Sequence, residues 1–274
     1  KQDGGRRMIK QITPSGREKR KRRLGGALSA LVMLCALGSV YALHTRSAEV
    51  VARKRELPVY CVERSDNKIA ISFDAAWGGD KTRRILDILD QYEVKTTFFL
   101  VDIWTQRFPE LVKEIVARGH EIGNHSTTHP QMSKLNESKI LSELQTMSDN
   151  AQALTGVRPT LFRPPYGDYN NAVVRTARAA GYEVVQWSVD SLDWKNKGTE
   201  DLVRRATRNV QSGDIVLFHN DSKYIVEALP AILEHYRQQG LSVVPVSQLL
   251  LAGETTIDTQ GRQRPVAPTI PPEV

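Results

Sequence analysis

Two histidines stand four residues apart in His125-Ser126-Thr127-Thr128-His129. A helical turn or a tight loop can aim both imidazoles at one cation, and neutral imidazole is a common zinc ligand. Taken alone, the spacing suits a pair of surface histidines equally well. Leu217-Phe218-His219 ends an apolar run in another imidazole, placed either as a general acid or as a satisfied core histidine. Phe162-Arg163-Pro164-Pro165-Tyr166-Gly167 reads as a rigid turn, because its two prolines remove two backbone donors and fix φ. Such a turn can hold Arg163 against a carboxylate and point the Tyr166 amide into a pocket, although an ordinary turn with a surface arginine uses the same residues. Asp190-Ser191-Leu192-Asp193-Trp194 sets two acids beside an indole, a flat apolar wall suited to a sugar or an acyl group. Ser72-Phe73-Asp74 brings a further run to an end in a carboxylate.

Each motif is weak by itself, and what they share is a place just after a strand. Apolar runs predict strands near 68–73, 96–101, 121–124, 160–163, 183–189, 214–218 and 242–246. Between them, helical spacing and Gly stops predict helices, such as 81–92, Pro109 to Gly119, 137–154 and Asn170 to Gly181. About seven β/α repeats of this kind imply a parallel sheet buried on both faces. The expected architecture is α/β, an irregular (β/α) barrel over 68–252, with an open doubly wound sheet as the other solution. No glycine-rich phosphate loop follows the first strand, so a dinucleotide fold finds no support. In a parallel barrel the C-terminal strand ends share one face, and that face carries the active site. Asp74, His125, His129, Arg163, Asp190, Asp193 and His219 all follow strands, so they are expected to converge on one pocket.

Composition limits the partners. The 274 residues are 40% hydrophobic and 25% charged, as in a globular protein. The net charge of +7 is concentrated: residues 1–23 carry ten Lys/Arg and two acids, which leaves a net −1 on the other 251 residues. A nearly neutral body with a basic head is not a nucleic-acid-binding domain. Residues 24–43 hold no charge and, as a helix, would span about 30 Å, the thickness of a bilayer core. The basic residues before them predict a cytoplasmic head (1–23) and an uncleaved single-pass anchor (24–43), with the rest of the chain outside the cell membrane. A signal peptide cleaved after Ala42 is the alternative. Residues 44–67 read as a stalk, and 253–274 as a proline-rich tail. Two cysteines, Cys35 and Cys61, make no disulfide framework. No protein partner can be read from the sequence.

As a set and in this order, HSTTH, RPPYG, DSLDW and LFH resemble the polysaccharide deacetylase family, whose catalytic region is the NodB homology domain, over about 68–252. The resemblance implies a distorted (β/α) barrel that removes N-acetyl groups from glycans with a divalent metal, zinc first and cobalt or manganese next. It implies His125 and His129 as metal ligands and Asp74 as general base, with Arg163 orienting Asp74. The Tyr166 backbone N–H would stabilise the oxyanion, and His219 would be the general acid, tuned by Asp193 or, second, by Asp190. Trp77, Tyr166 and Trp194 would line an open groove for an N-acetylated polymer such as peptidoglycan.

One position departs from the family pattern. The family carries two consecutive aspartates, base and then ligand, whereas this chain reads Asp74-Ala75-Ala76-Trp77-Gly78. Alanine offers no donor, and a catalytic zinc site usually has three protein ligands. Asp74 itself, a nearby carboxylate such as Asp80, or water would have to make up the set. The DAAWG form resembles a sub-branch in Gram-positive spore-formers, which points to an envelope or sporulation role. It also raises the alternative of a glycan-binding protein that has kept the fold and lost the chemistry.

Overall fold

The computed structural model describes residues 33–39 and 55–266. The chain divides into two compact units, Lys1–Arg55 and Glu56–Val274. In the first unit, residues 33–39 form a short exposed helix, α1. Among the described residues no helix is long and apolar enough to cross a membrane. The expected head and most of the expected anchor lie outside the described residues, as do residues 40–54 of the anchor's end and the stalk, and 267–274 of the tail.

The second unit is built on parallel strands that alternate with helices. In chain order these are β2 (Lys68–Ala75), α2 (Thr82–Gln91), β3 (Thr97–Leu100), α3 (Asp102–Arg107), α4 (Pro109–Ala117) and β4 (Glu121–Asn124). Next come α5 (Glu137–Thr155), β5 (Leu161–Phe162), α6 (Asn171–Ala179), β6 (Glu183–Val184), β7 (Val189–Asp190) and α7 (Thr199–Thr207). The series ends with β8 (Ile215–His219), α8 (Ile225–Gln238), β9 (Ser242–Val243) and α9 (Val246–Leu249). The strand order is β6-β5-β4-β3-β2-β8-β7, with β9 paired to the start of β2.

Strand β2 is central, and its pleat places the site. Ile69, Ile71, Phe73 and Ala75 point into the apolar layer beneath the helices, where they meet Ile85, Leu89, Leu229 and Ile232. Phe73 stacks on Phe98 and Phe218, at 5.0 and 5.6 Å between ring centroids. Side chains alternate along a strand, so Ser72 and Asp74 fall on the other, inner face, with Asp74 in register with Phe99 and His219. Burial on both faces is what makes β2 a near-continuous apolar run in the sequence.

Two expectations are corrected. The single strand expected over 183–189 is two strands, β6 and β7, on opposite edges of the sheet. Residues 185–188 cross between those edges: Val185 N–H bonds the Phe162 carbonyl, Gln186 N–H the Val59 carbonyl and Ser188 N–H the Ile215 carbonyl. The sheet is therefore a curled half-barrel whose gap is bridged by one irregular segment, in place of a barrel closed by a strand ladder. The boundaries at 68 and 252 also fall inside the folded unit. Strand β1 (Cys61–Val62), from the expected stalk, pairs in parallel with β11 (Arg262–Pro265), from the expected tail, and β11 pairs with β10 (Thr255–Ile257). Short polar strands such as RQRP carry no period-2 apolar signal, so sequence pattern misses them. The helix expected to open at Pro109 is present as α4, and α3 occupies 102–107, a stretch to which the spacing assigns no element.

Candidate active site

The C-terminal strand ends supply the site, and Asp74 and Arg163 form its base. Arg163 follows β5 and is fully buried. Its Nη1 donates to Asp74 Oδ1 and to Ser72 Oγ, both at 2.8 Å, and its Nη2 donates to the Gln186 carbonyl at 3.0 Å. The guanidinium also stacks over Phe99 at 4.1 Å and lies 5.7 Å from the Trp187 ring. Burial pushes the Asp74 carboxyl upward, but the charge and hydrogen bond of Arg163 outweigh it and hold Asp74 below the usual carboxylate range.

The two histidines of HSTTH converge beside this pair. His125 is buried, and its Nδ1–H donates to the Arg163 carbonyl at 2.7 Å. That bond leaves Nε2 as the lone-pair nitrogen, 3.5 Å from Asp74 Oδ2. Burial pushes the His125 imidazole down and keeps it neutral. His129 lies 5.0 Å from His125 between ring centroids, and burial, then the neighbouring imidazole, pushes it down to about 4.

The loop carrying both rings is unusual in its backbone. Ser126 and His129 have φ of 71° and 59°, a region that non-glycine residues rarely occupy. Helix α5 compensates. Glu143 Oε2 accepts from the Thr127 and Thr128 amides at 2.9 and 2.8 Å, and Oε1 accepts from Thr128 Oγ1 at 2.8 Å. Thr127 Oγ1 donates to the Glu143 carbonyl, and Asn124 Oδ1 accepts from the Ser126 amide.

On β8, His219 Nδ1–H donates to Asp193 Oδ1 at 2.7 Å, and the His219 amide donates to Oδ2 at 2.8 Å. Burial lowers the imidazole's affinity for a proton, but the bond to and charge of Asp193 prevail and raise it. Asp193, not Asp190, is thus the histidine's partner; Asp190 instead accepts from the Leu192 amide.

Asp74, His125, His129 and His219 line one cavity of about 490 Å³, with Tyr166 and Asp190, whereas their partners Arg163 and Asp193 stand behind its wall. Trp77, Tyr166 and Trp194 line it while remaining 64, 65 and 55% exposed, an aromatic rim. Tyr166 sits at φ 60° in a 3-10 turn, with its ring 4.4 Å from that of His129. Two lining residues had not been singled out, Trp187 and Asp221. Asp221 had a weak signal, an acid two residues after His219; a Cβ on Gly78 would lie 3.0 Å from its Cβ, so glycine there admits it. Glu143 had no signal, since only the fold brings α5 to the HSTTH loop. Asp80 does not join this cavity. It lines a separate recess with Arg83 and Phe108.

A curated relative from Bacillus cereus, a peptidoglycan-N-acetylglucosamine deacetylase, is 40% identical over 194 residues, 69% of this chain and 91% of its own length. The family model for polysaccharide deacetylase matches residues 62–185. The chain belongs to the polysaccharide deacetylase family. Another member, the peptidoglycan-N-acetylmuramic acid deacetylase PdaC of Bacillus subtilis, is 32% identical over 69% of this chain and 40% of its own length. Among solved structures, BA3943 of Bacillus anthracis, described as a CE4 family pseudoenzyme, aligns with a TM-score of 0.68 at 33% identity, over 70% of this chain and 68% of its own. A mutant of BA3943 with restored enzymatic activity aligns equally well, at 34% identity.

The metal that the deacetylase family implies can be tested against the donors present. His125 suits a metal, because its second ring nitrogen is tied to a backbone carbonyl, the usual arrangement of a ligating histidine. Ala75 supplies nothing: it is buried in the apolar layer and takes no part in the cavity wall. Among the described residues no group of three or more His, Cys, Asp or Glu side chains is arranged to hold a metal ion. The residues of this deacetylase-family chain therefore do not fit a three-ligand catalytic site.

Two outcomes follow from this geometry. In an NMR titration of the His219 ring, the midpoint lies above the ordinary imidazole value of about 6.5, and Asp193→Asn moves it below that value. The stability this pair contributes is complete below the unfolded value and is lost as pH rises through the raised one. An unmoved midpoint in the variant would contradict the pairing. Glu143→Ala is expected to cost about 1–3 kcal/mol, from the loop amides left unpaired, with faster hydrogen exchange at Thr127 and Thr128; unchanged exchange there would show that the loop holds itself.

Proposed function

We propose that the protein is an N-deacetylase acting on cell-wall glycan of the peptidoglycan type. The observation that carries this reading is the convergence on one cavity of two differently tuned charge pairs, Arg163–Asp74 and Asp193–His219. One holds a carboxyl below its usual range, and the other raises an imidazole's hold on its proton. Base and acid set apart in this way are what amide hydrolysis needs.

In this reading Asp74 takes a proton from the water that adds to the acetamide carbonyl, and Arg163 keeps Asp74 ionised and aimed. The Tyr166 backbone N–H stabilises the developing oxyanion. The carbon–nitrogen bond then breaks as His219 delivers its proton to the leaving amine, and acetate and a free amino sugar result. Trp77, Tyr166 and Trp194 offer flat faces to sugar rings along an open rim, which suits a polymer. The named activities of the Bacillus relatives support the same substrate class. Zinc is the metal expected at His125 and His129, and two protein ligands would hold it weakly or not at all. The membrane anchor at 24–43 is part of the proposal and rests on the sequence alone.

A second reading, glycan binding without turnover, is favoured by Ala75 and the incomplete ligand set. One experiment separates the two: acetate release from N-acetylated peptidoglycan by the full chain, with and without added Zn²⁺ or Co²⁺, and bound metal measured in the same sample. The deacetylase reading expects acetate release that rises with added metal. Glycan binding with no acetate released at any metal concentration would favour the second reading.

A further inference from the structure

Helix α7 carries Arg204 and Arg205 in its last turn, and Arg208 closes it as the C-terminal cap. With Asp190 these three arginines line a second recess of about 350 Å³. Asp190 also lines the reaction cavity, so the two recesses meet at that residue.

Basic residues in the last turn of a helix complement its dipole, which accounts for Arg204 and Arg205 on their own. It does not account for the concavity, nor for the excess of three guanidinium groups over the two carboxylates beside them, Asp190 in the recess wall and Asp201 on the helix. Asp201 serves both Arg204 and Arg205 through its two oxygens. Arg208 makes no ion pair among the described residues and is exposed. Lys197 lies close enough to act on the Asp201 charge as well. Lys195, on the same connection between β7 and α7, sits 5.0 Å from the face of Trp194 at the cavity rim. Outside its basic head the chain is nearly neutral, so positive charge gathered on one side of the cavity stands out against the rest.

Guanidinium groups match the planar, two-oxygen geometry of carboxylates and phosphates. We infer that the Arg204–Arg205–Arg208 recess binds an anionic substituent, a carboxylate or a phosphate, on the glycan whose acetamide occupies the adjoining cavity. The inference rests on the glycan reading above and sharpens it: the substrate is a charged wall polymer, not a neutral chain of N-acetylglucosamine.

The test is equilibrium binding of the full chain to four probes, namely chitopentaose, intact peptidoglycan, peptidoglycan stripped of stem peptides, and peptidoglycan stripped of phosphate polymers. Wild type is compared with Arg208→Ala and Arg205→Ala/Arg208→Ala. All of these side chains are at the surface, so folding is not at stake. The variants are expected to bind intact peptidoglycan about tenfold more weakly, with a shallower salt dependence, and to bind chitopentaose as wild type does. Loss of the difference on the peptide-stripped probe identifies carboxylates, and its loss on the phosphate-stripped probe identifies phosphates. Equal binding of intact peptidoglycan by variants and wild type would overturn the subsite alone, as would an equal loss on chitopentaose. Wild type that binds none of the four probes would overturn the glycan reading itself, and the subsite with it.

Discussion

The buried guanidinium of Arg163 is the constraint on which the rest of the site depends. A charge with no exposure is costly unless it is paired and hydrogen-bonded, and here the partners come from three separate segments of the fold. Ser72 and Asp74 come from the C-terminal half of β2, Gln186 and Trp187 offer a carbonyl and a ring face from the segment that crosses between the sheet edges, and Phe99 on β3 offers a second ring face. The Arg163 carbonyl in turn fixes the His125 ring. One residue thus ties the centre of the half-barrel, its bridging segment and the histidine loop. Removing one partner from a buried pair of this kind typically costs about 3–5 kcal/mol, so position 163 is structural and functional at once.

Around that anchor, rigidity is supplied from behind. The HSTTH loop holds two residues at positive φ, and α5 meets its amides with the Glu143 carboxylate. His219 is held by both oxygens of Asp193. The side chains that face the cavity are therefore oriented by bonds made on the side away from it. The aromatic rim has no such clamp in common, and Trp77, Tyr166 and Trp194 stay more than half exposed. A fixed interior with an open rim suits a long substrate of which only one group enters.

Much of the site was legible in the sequence because parallel strands deliver their C-terminal ends to one face. Asp74, His125, His129, Arg163, Asp193 and His219 each follow an apolar run, and a parallel sheet has one place to put them. What stayed hidden depends on contacts between distant segments. Glu143 lies on an ordinary amphipathic helix, and nothing local says that it reaches the loop. The split of 183–189 into two edge strands is set by which carbonyls lie opposite Val185, Gln186 and Ser188, not by the residues themselves. The strands at 61–62 and 262–265 are too short and polar to show a period. Asp80 stood near the motif in sequence and turned out to face another recess, whereas Asp221, contributed by a different strand end, reached the cavity.

The central claim is that Asp74, kept ionised by Arg163, is the base for amide hydrolysis despite the alanine that follows it. The most direct measurement is the rate of acetate release from N-acetylated peptidoglycan by Asp74→Asn beside wild type, under the same metal supply, with melting curves on both. The account predicts a loss of about a hundredfold to ten-thousandfold in a variant that still folds. An Asp74→Asn protein that releases acetate at the wild-type rate would contradict it.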